Sequence, residues 1–130
     1  MNRYVIDTQI LVRHIFGGEP VLNPAVDKVL LDADRGNGLI IISAVVGFEI
    51  AYLHEKGRIP VSAGELNELI SGAANYIEEP VTMDIIEAAF EISDIPELHD
   101  RLIAGTAKYL NSPILTDDQV IRKSRFVSCL

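Results

Sequence analysis

Short, continuous apolar runs alternate along this chain with longer segments in which apolar residues recur every three or four positions. Arg3-Tyr-Val-Ile6 reads as a short buried strand, with Asp7-Thr8 standing at its end. Helical spacing follows over Ile10–Phe16, closed by Gly17-Gly18. Pro24 suits the first turn of a helix running to about Arg35, in which Val26, Val29, Leu30 and Ala33 share one face. Gly36-Asn37-Gly38 is a turn signal.

Leu39-Ile-Ile-Ile42 is a β-branched run of the kind found in strands covered on both faces. Ser43 caps a predicted helix through Lys56, which Gly57 ends. Ser62 and Glu65 form a capping-box pattern for a helix extending to about Tyr76. Pro80-Val-Thr82 is assigned to a short strand and Asp84–Ser93 to a helix. Pro96 and His99 precede a helix over Asp100–Leu110, and Ile114–Thr116 reads as a strand. A short helix over Asp118–Lys123 and a final strand at Phe126-Val127 complete the pattern. Alternating strands and helices predict an α/β fold with three α/β/α layers and a central parallel sheet of about four to five strands. In such folds ligands bind beyond the carboxyl ends of the strands.

Composition narrows this picture. With 130 residues, 48% of them hydrophobic, the chain fits one domain, residues 1–130, with a substantial core. The single cysteine, Cys129, has no intramolecular partner for a disulfide. No signal peptide pattern precedes the first strand, and no apolar run approaches the ~18 residues of a membrane span. These features predict a cytoplasmic protein without membrane attachment. The net charge of −8 runs against a simple nucleic-acid binder, which presents a basic face. It fits a chain that gathers carboxylates in one place.

Those carboxylates fall at telling positions. Asp7 follows the first strand, and Asp117 and Asp118 follow the strand at Ile114–Thr116. Glu49 lies two turns into a helix and interrupts the apolar stretch Val45-Val-Gly-Phe-Glu-Ile-Ala51, where an unpartnered carboxylate would be costly. Asp100 opens a late helix. Clustered carboxylates repel one another, and a hard divalent cation such as Mg²⁺ or Mn²⁺ relieves that cost. Structural explanations stand beside this one. Asp117-Asp118 also makes a helix-cap pair, Asp100 also suits a helix N-terminus, and Glu49 also suits a solvent-facing helix surface.

Three segments together resemble the PIN-domain family, whose toxin branch is called VapC. They are Tyr4-Val-Ile-Asp-Thr-Gln-Ile-Leu11, Ile42-Ser-Ala-Val-Val-Gly-Phe-Glu-Ile50, and Ile95-Pro-Glu-Leu-His-Asp-Arg-Leu-Ile-Ala-Gly-Thr-Ala107 followed by Ile114-Leu-Thr-Asp-Asp118. The resemblance implies a catalytic, metal-holding set of Asp7, Glu49, Asp100 and Asp118. Asp117 is the variable neighbour of Asp118, and a one-residue slip would exchange the two. Thr8 and Thr116 match supporting hydroxyl positions, and Arg101 matches an arginine that serves in either a structural ion pair or substrate contact. Leu98-His99 stands where many toxin members carry Asp-Pro.

The resemblance further implies Mg²⁺- or Mn²⁺-dependent hydrolysis of RNA phosphodiesters, an antitoxin partner and a homodimer. Candidate dimer surfaces are Ile85–Phe90 and Ala63–Ile77. Two alternatives within the fold stay open: an RNA-processing nuclease without an antitoxin, and a catalytically idle binding module. A phosphoacceptor domain of the response-regulator type shares the clustered Asp. It calls for paired acids near the first strand, where this chain has Asp7 alone.

Overall fold

A computed structural model describes residues 2–17 and 23–130. Its elements run β1 (Arg3–Ile6), α1 (Thr8–Phe16), α2 (Pro24–Asp34), β2 (Leu39–Ser43), α3 (Ala44–Glu55), α4 (Ala63–Gly72), β3 (Tyr76–Glu79), α5 (Met83–Phe90), α6 (Leu98–Leu110), β4 (Ile114–Leu115) and α7 (Gln119–Arg122). The four strands form one parallel sheet in the order β3-β2-β1-β4. Val5 of β1 is in register with Ile41 on one side and Ile114 on the other. This is the expected three-layer α/β/α architecture.

The strand order positions the site. From β1 to β3 the chain steps one way across the sheet, then it reverses to place β4 on the other side of β1. Parallel crossovers are right-handed, so the reversal sends α5 and α6 to the opposite face from the preceding helices. The crevice at such a reversal, outside the carboxyl ends of the two strands, is where a doubly wound sheet binds ligands. Here those ends belong to β1 and β4, followed by Asp7 and by Thr116-Asp117-Asp118.

Apolar strand residues form the centre of the core: Val5, Ile6, Ile40, Ile42, Ile114 and Leu115 are all buried. Helices α5 and α6 pack unusually close. A Cβ placed on Gly105 would lie 2.6 Å from Ala89 Cβ and 2.7 Å from Ala89 Cα, so only glycine permits this approach. Local signals set most helix starts. Ser43 accepts from Val45 N, Asn23 from Ala25 N with Pro24 in the first turn, and Ser62 and Glu65 complete the capping box.

Several boundaries differ from the sequence pattern. The helix expected to reach Tyr76 stops at Gly72, and Tyr76–Glu79 is an edge strand instead. Tyr76 and Ile77 are strand formers, and they pair with Ile40 and Ile41 of β2. Pro80–Thr82 is consequently not a strand; Thr82 caps α5. Helix α5 ends at Phe90 rather than Ser93, and α6 begins at Leu98 rather than Asp100 because Glu97 caps it. Phe126-Val127 is not a strand; the sheet is extended only by an isolated bridge from Ile114 to Cys129. Gly17 caps α1 with positive φ, and Gly18 lies outside the described residues.

Of the two candidate dimer surfaces, Ile85, Ala88 and Ala89 are core, while Phe90 is exposed. No helix among the described residues is long and apolar enough to cross a membrane.

Candidate active site

Asp7 leaves β1 and caps α1. It is 7% exposed, and both of its oxygens accept hydrogen bonds. Thr8 N donates to Oδ1 at 2.8 Å, and Thr116 Oγ1, from the end of β4, donates to Oδ2 at 2.6 Å. Thr8 Oγ1 donates in turn to Glu49 Oε1 at 2.8 Å, linking α1 to α3. Thr116 Oγ1 also accepts from Asp118 N at 3.0 Å. One continuous network thus runs Glu49–Thr8–Asp7–Thr116–Asp118, across two strand ends, two helix starts and the middle of α3. The hydroxyls of Thr8 and Thr116 hold carboxylates in place, as expected for supporting residues. Replacing Thr116 with valine removes a buried donor to Asp7 and the acceptor for Asp118 N. We expect a cost of about 1–3 kcal/mol in chemical denaturation, with Thr116→Ser close to wild type.

Electrostatics show which acids converge. Burial pushes the Asp7 carboxyl above its ordinary range, with Asp118 and Asp117 adding to the rise against the opposing hydrogen bonds. Burial likewise raises Glu49, and Asp7 adds to it. Asp100 is the most perturbed: desolvation, then the charges of Asp7, Glu97, Asp118 and Glu49, push it up to about 7. Asp100 therefore feels Asp7, Glu49 and Asp118 together. Asp7, Glu49, Asp100 and Asp118 form one repelling cluster at the sheet reversal.

Asp118 and Asp117 have separate tasks. Asp118 Oδ1 caps α7, accepting from Val120 N and Ile121 N at 2.9 and 3.0 Å, so its helix-cap role and its place in the cluster coexist. Asp117 forms an ion pair with Arg13 of α1. Arg13 Nε is buried with no hydrogen-bond partner. This pairing gives the basic charge of Arg13 a fixed place beside the acids.

Two features were not read from the sequence. Glu97 caps α6 by accepting from Asp100 N at 2.7 Å, and it holds His99 Nδ1 at 2.7 Å. Burial raises the Glu97 pKa, but the bonds from Asp100 N and His99 outweigh it and the net shift is downward. The bond to Glu97 raises His99. Arg101 makes no ion pair among the described residues, against the ion-pair alternative: its Nε donates to Ile95 O at 2.7 Å, and its guanidinium lies 5.0 Å from the Phe90 ring centroid.

The donor set fits a hard cation. It consists of carboxylate oxygens that destabilise one another without a counter-charge, the condition that a divalent ion relieves. Among the described residues, no three His, Cys, Asp or Glu side chains close into a ready-made coordination group. Mg²⁺ tolerates this, since it commonly takes one or two carboxylates directly and keeps several waters.

A carboxylate cluster at the reversal of a doubly wound parallel sheet, beside a rim of threonine hydroxyls, defines a class of acidic-site α/β domains. The PIN domain family model matches residues 4–127, and the chain belongs to that family. Its fold is shared by a chain of the VapBC2 complex of Rickettsia felis bound to promoter DNA, at TM-score 0.70 and 18% identity over 98% of this chain and 97% of that one. A chain of DNA-bound VapBC from Salmonella typhimurium gives TM-score 0.70 and 14% identity, covering 100% and 98%. A toxin–antitoxin complex from Klebsiella pneumoniae gives 0.63 and 17%, covering 92% and 91%. No curated protein sequence matches the chain.

Proposed function

We propose that this chain is a metal-dependent endoribonuclease acting as the toxin of a toxin–antitoxin pair. The observation that carries the reading is the mutual repulsion of Asp7, Glu49, Asp100 and Asp118 at the one crevice the topology reserves for ligands. These four residues would hold Mg²⁺ or Mn²⁺. When bound, such an ion offsets phosphate charge and makes a water acidic enough to attack a phosphodiester.

The chain's own residues do the rest. Thr8 and Thr116 fix the orientation of Glu49 and Asp7. Arg13, anchored by Asp117, supplies a cation near the crevice for an RNA phosphate. Lys56, the C-cap residue of α3, is a further candidate, while Arg3 and Arg122 are engaged with backbone carbonyls.

The toxin role is supported by likeness in fold to chains from three toxin–antitoxin complexes. An acidic crevice suits an arginine or lysine side chain offered by an antitoxin. The test is cleavage of single-stranded RNA with Mg²⁺ or Mn²⁺ by wild type, Asp7→Asn and Asp100→Asn. Equal cleavage by all three would defeat the nuclease reading. Growth arrest on expression, relieved by the neighbouring open reading frame, would test the toxin role.

Metal binding should depend on pH with a definite sign. Asp100, raised to about 7, holds a proton that a cation must displace. Mg²⁺ affinity by isothermal titration calorimetry should therefore rise steeply from pH 6 to pH 8, with proton release. Stability of the metal-free protein should move the opposite way. A raised carboxyl binds more protons folded than unfolded, so its contribution is fully present below the ordinary value of 3.8, is lost as pH rises to about 7 and is level above that. Asp7 and Glu49 act with the same sign. The lowered Glu97 acts oppositely, but only below the ordinary carboxylate range. The melting temperature in EDTA should fall between pH 5 and pH 8, and Mg²⁺ should restore it. A flat profile in EDTA would contradict the clustering.

A further inference from the structure

Beside the acids lies a cleft that shares Glu49 with them and is otherwise walled by residues outside the acid set. It has a volume of about 430 Å³ and is lined by Phe48, Glu49, Tyr52, Leu53 and His99. We propose that this cleft is a stacking subsite for an unpaired base of single-stranded RNA flanking the cleaved phosphodiester; the assignment rests on the nuclease reading above.

The argument begins with helical spacing. Phe48, Tyr52 and Lys56 lie four residues apart on α3, so they form one stripe along the helix surface. Phe48 is 64% exposed and Tyr52 52%, although large aromatic rings ordinarily seek burial. The stripe begins next to Glu49, an acid that also lines the cleft, so the cleft and the acid cluster share a wall.

The rings are pre-arranged. Phe48 and His99 have centroids 6.0 Å apart with planes within 18°. His99 is itself tethered through Nδ1 to Glu97, the residue that caps α6. At the far end, Lys56 Nζ lies 5.5 Å from the centroid of the Tyr52 ring.

This combination selects the occupant. A purely apolar partner would cover the rings and strand the Lys56 ammonium and the Glu97–His99 pair. A nucleotide offers both a flat π face for the rings and a phosphate for the lysine, the pairing used wherever single strands are bound without base-edge readout. Such a subsite would hold the strand by stacking, tolerate any base, and place the adjoining phosphate toward the acids. It also gives an acidic protein a way to grip RNA that depends less on net positive charge than basic-patch binding does.

The test uses a short single-stranded RNA carrying one 2-aminopurine, whose fluorescence is quenched on stacking. It is read with Ca²⁺ in place of Mg²⁺ so that binding is separated from cleavage. Wild type should quench the probe. Phe48→Ala with Tyr52→Ala should abolish the quench and weaken binding roughly tenfold, and Phe48→Trp should retain it. In cleavage assays the double variant should raise KM with Mg²⁺ affinity unchanged.

Wild-type cleavage without a quench would overturn the subsite and leave the nuclease reading standing. A quench without any metal-dependent cleavage would support the subsite and defeat the nuclease reading. An intact quench in the double variant, together with a smaller mass by light scattering, would overturn the proposal in favour of a second copy of this chain.

Discussion

Asp7→Asn is expected to reduce RNA cleavage by well over a hundredfold while leaving the protein folded. Asp7 is the acid most deeply placed in the site, and it touches both strands that form the crevice. Even residues that merely orient metal ligands cost about 10–100-fold when removed, so a central carboxylate should cost more. The fold should survive because the substitution removes a buried charge whose pKa is already pushed up. Asparagine offers one oxygen where aspartate offers two acceptors, for Thr8 N and Thr116 Oγ1. The hydroxyl of Thr116 can turn to accept from the new amide, which keeps the network closed. Calorimetry should show Mg²⁺ affinity collapsing with the activity, and circular dichroism should show melting near that of wild type. Full activity in Asp7→Asn would remove Asp7 from the site.

Gly105→Ala should have the largest effect on stability. The added Cβ would approach Ala89 Cβ, Cα and N at 2.6, 2.7 and 2.9 Å, and two of those atoms are backbone. No side chain can rotate away, so α5 and α6 must separate. Overpacking of this kind typically costs about 1–3 kcal/mol, and a rigid backbone contact belongs at the upper end. A denaturant midpoint shifted with an unchanged slope would report it. The compensating pair Gly105→Ala with Ala89→Gly should regain part of the loss, less the ~1 kcal/mol that glycine costs a helix. Because α6 carries Asp100 and His99, metal affinity should weaken along with stability.

Much of this site was legible because two of its acids follow strand ends, where the alternating pattern itself puts a ligand site. Asp7 needed only a correct reading of β1, and a correct reading of β4 led to the pair Asp117-Asp118. Glu49 was flagged by its cost in an apolar stretch, and Thr8 turned out to carry the hydrogen bond that makes its position tolerable. Asp100 was different. Its convergence with the others depends on how the chain crosses back from β3 to β4, which no local spacing records.

The different surroundings of Asp117 and Asp118 also needed three dimensions, since only the fold brings Arg13 to Asp117. Glu97 escaped notice because glutamate is not among the favoured helix caps. The edge strand at Tyr76 was misread because Ala73-Ala-Asn75 carries no strong breaker after Gly72. What decides it is pairing with β2, a contact between residues far apart in sequence.

The order of strands in the sheet has a consequence for a protein made from one end to the other. Asp7 is synthesised well before its hydrogen-bond partner Thr116. A growing chain can pair β1 with β2, and β2 with β3, well before β4 exists. Until β4 docks, the crevice has one wall and the acids have no complete setting. Any cut made by the proposed nuclease must therefore wait for the late strand, because β4 brings Thr116 and Asp118 to a carboxylate laid down more than a hundred residues earlier.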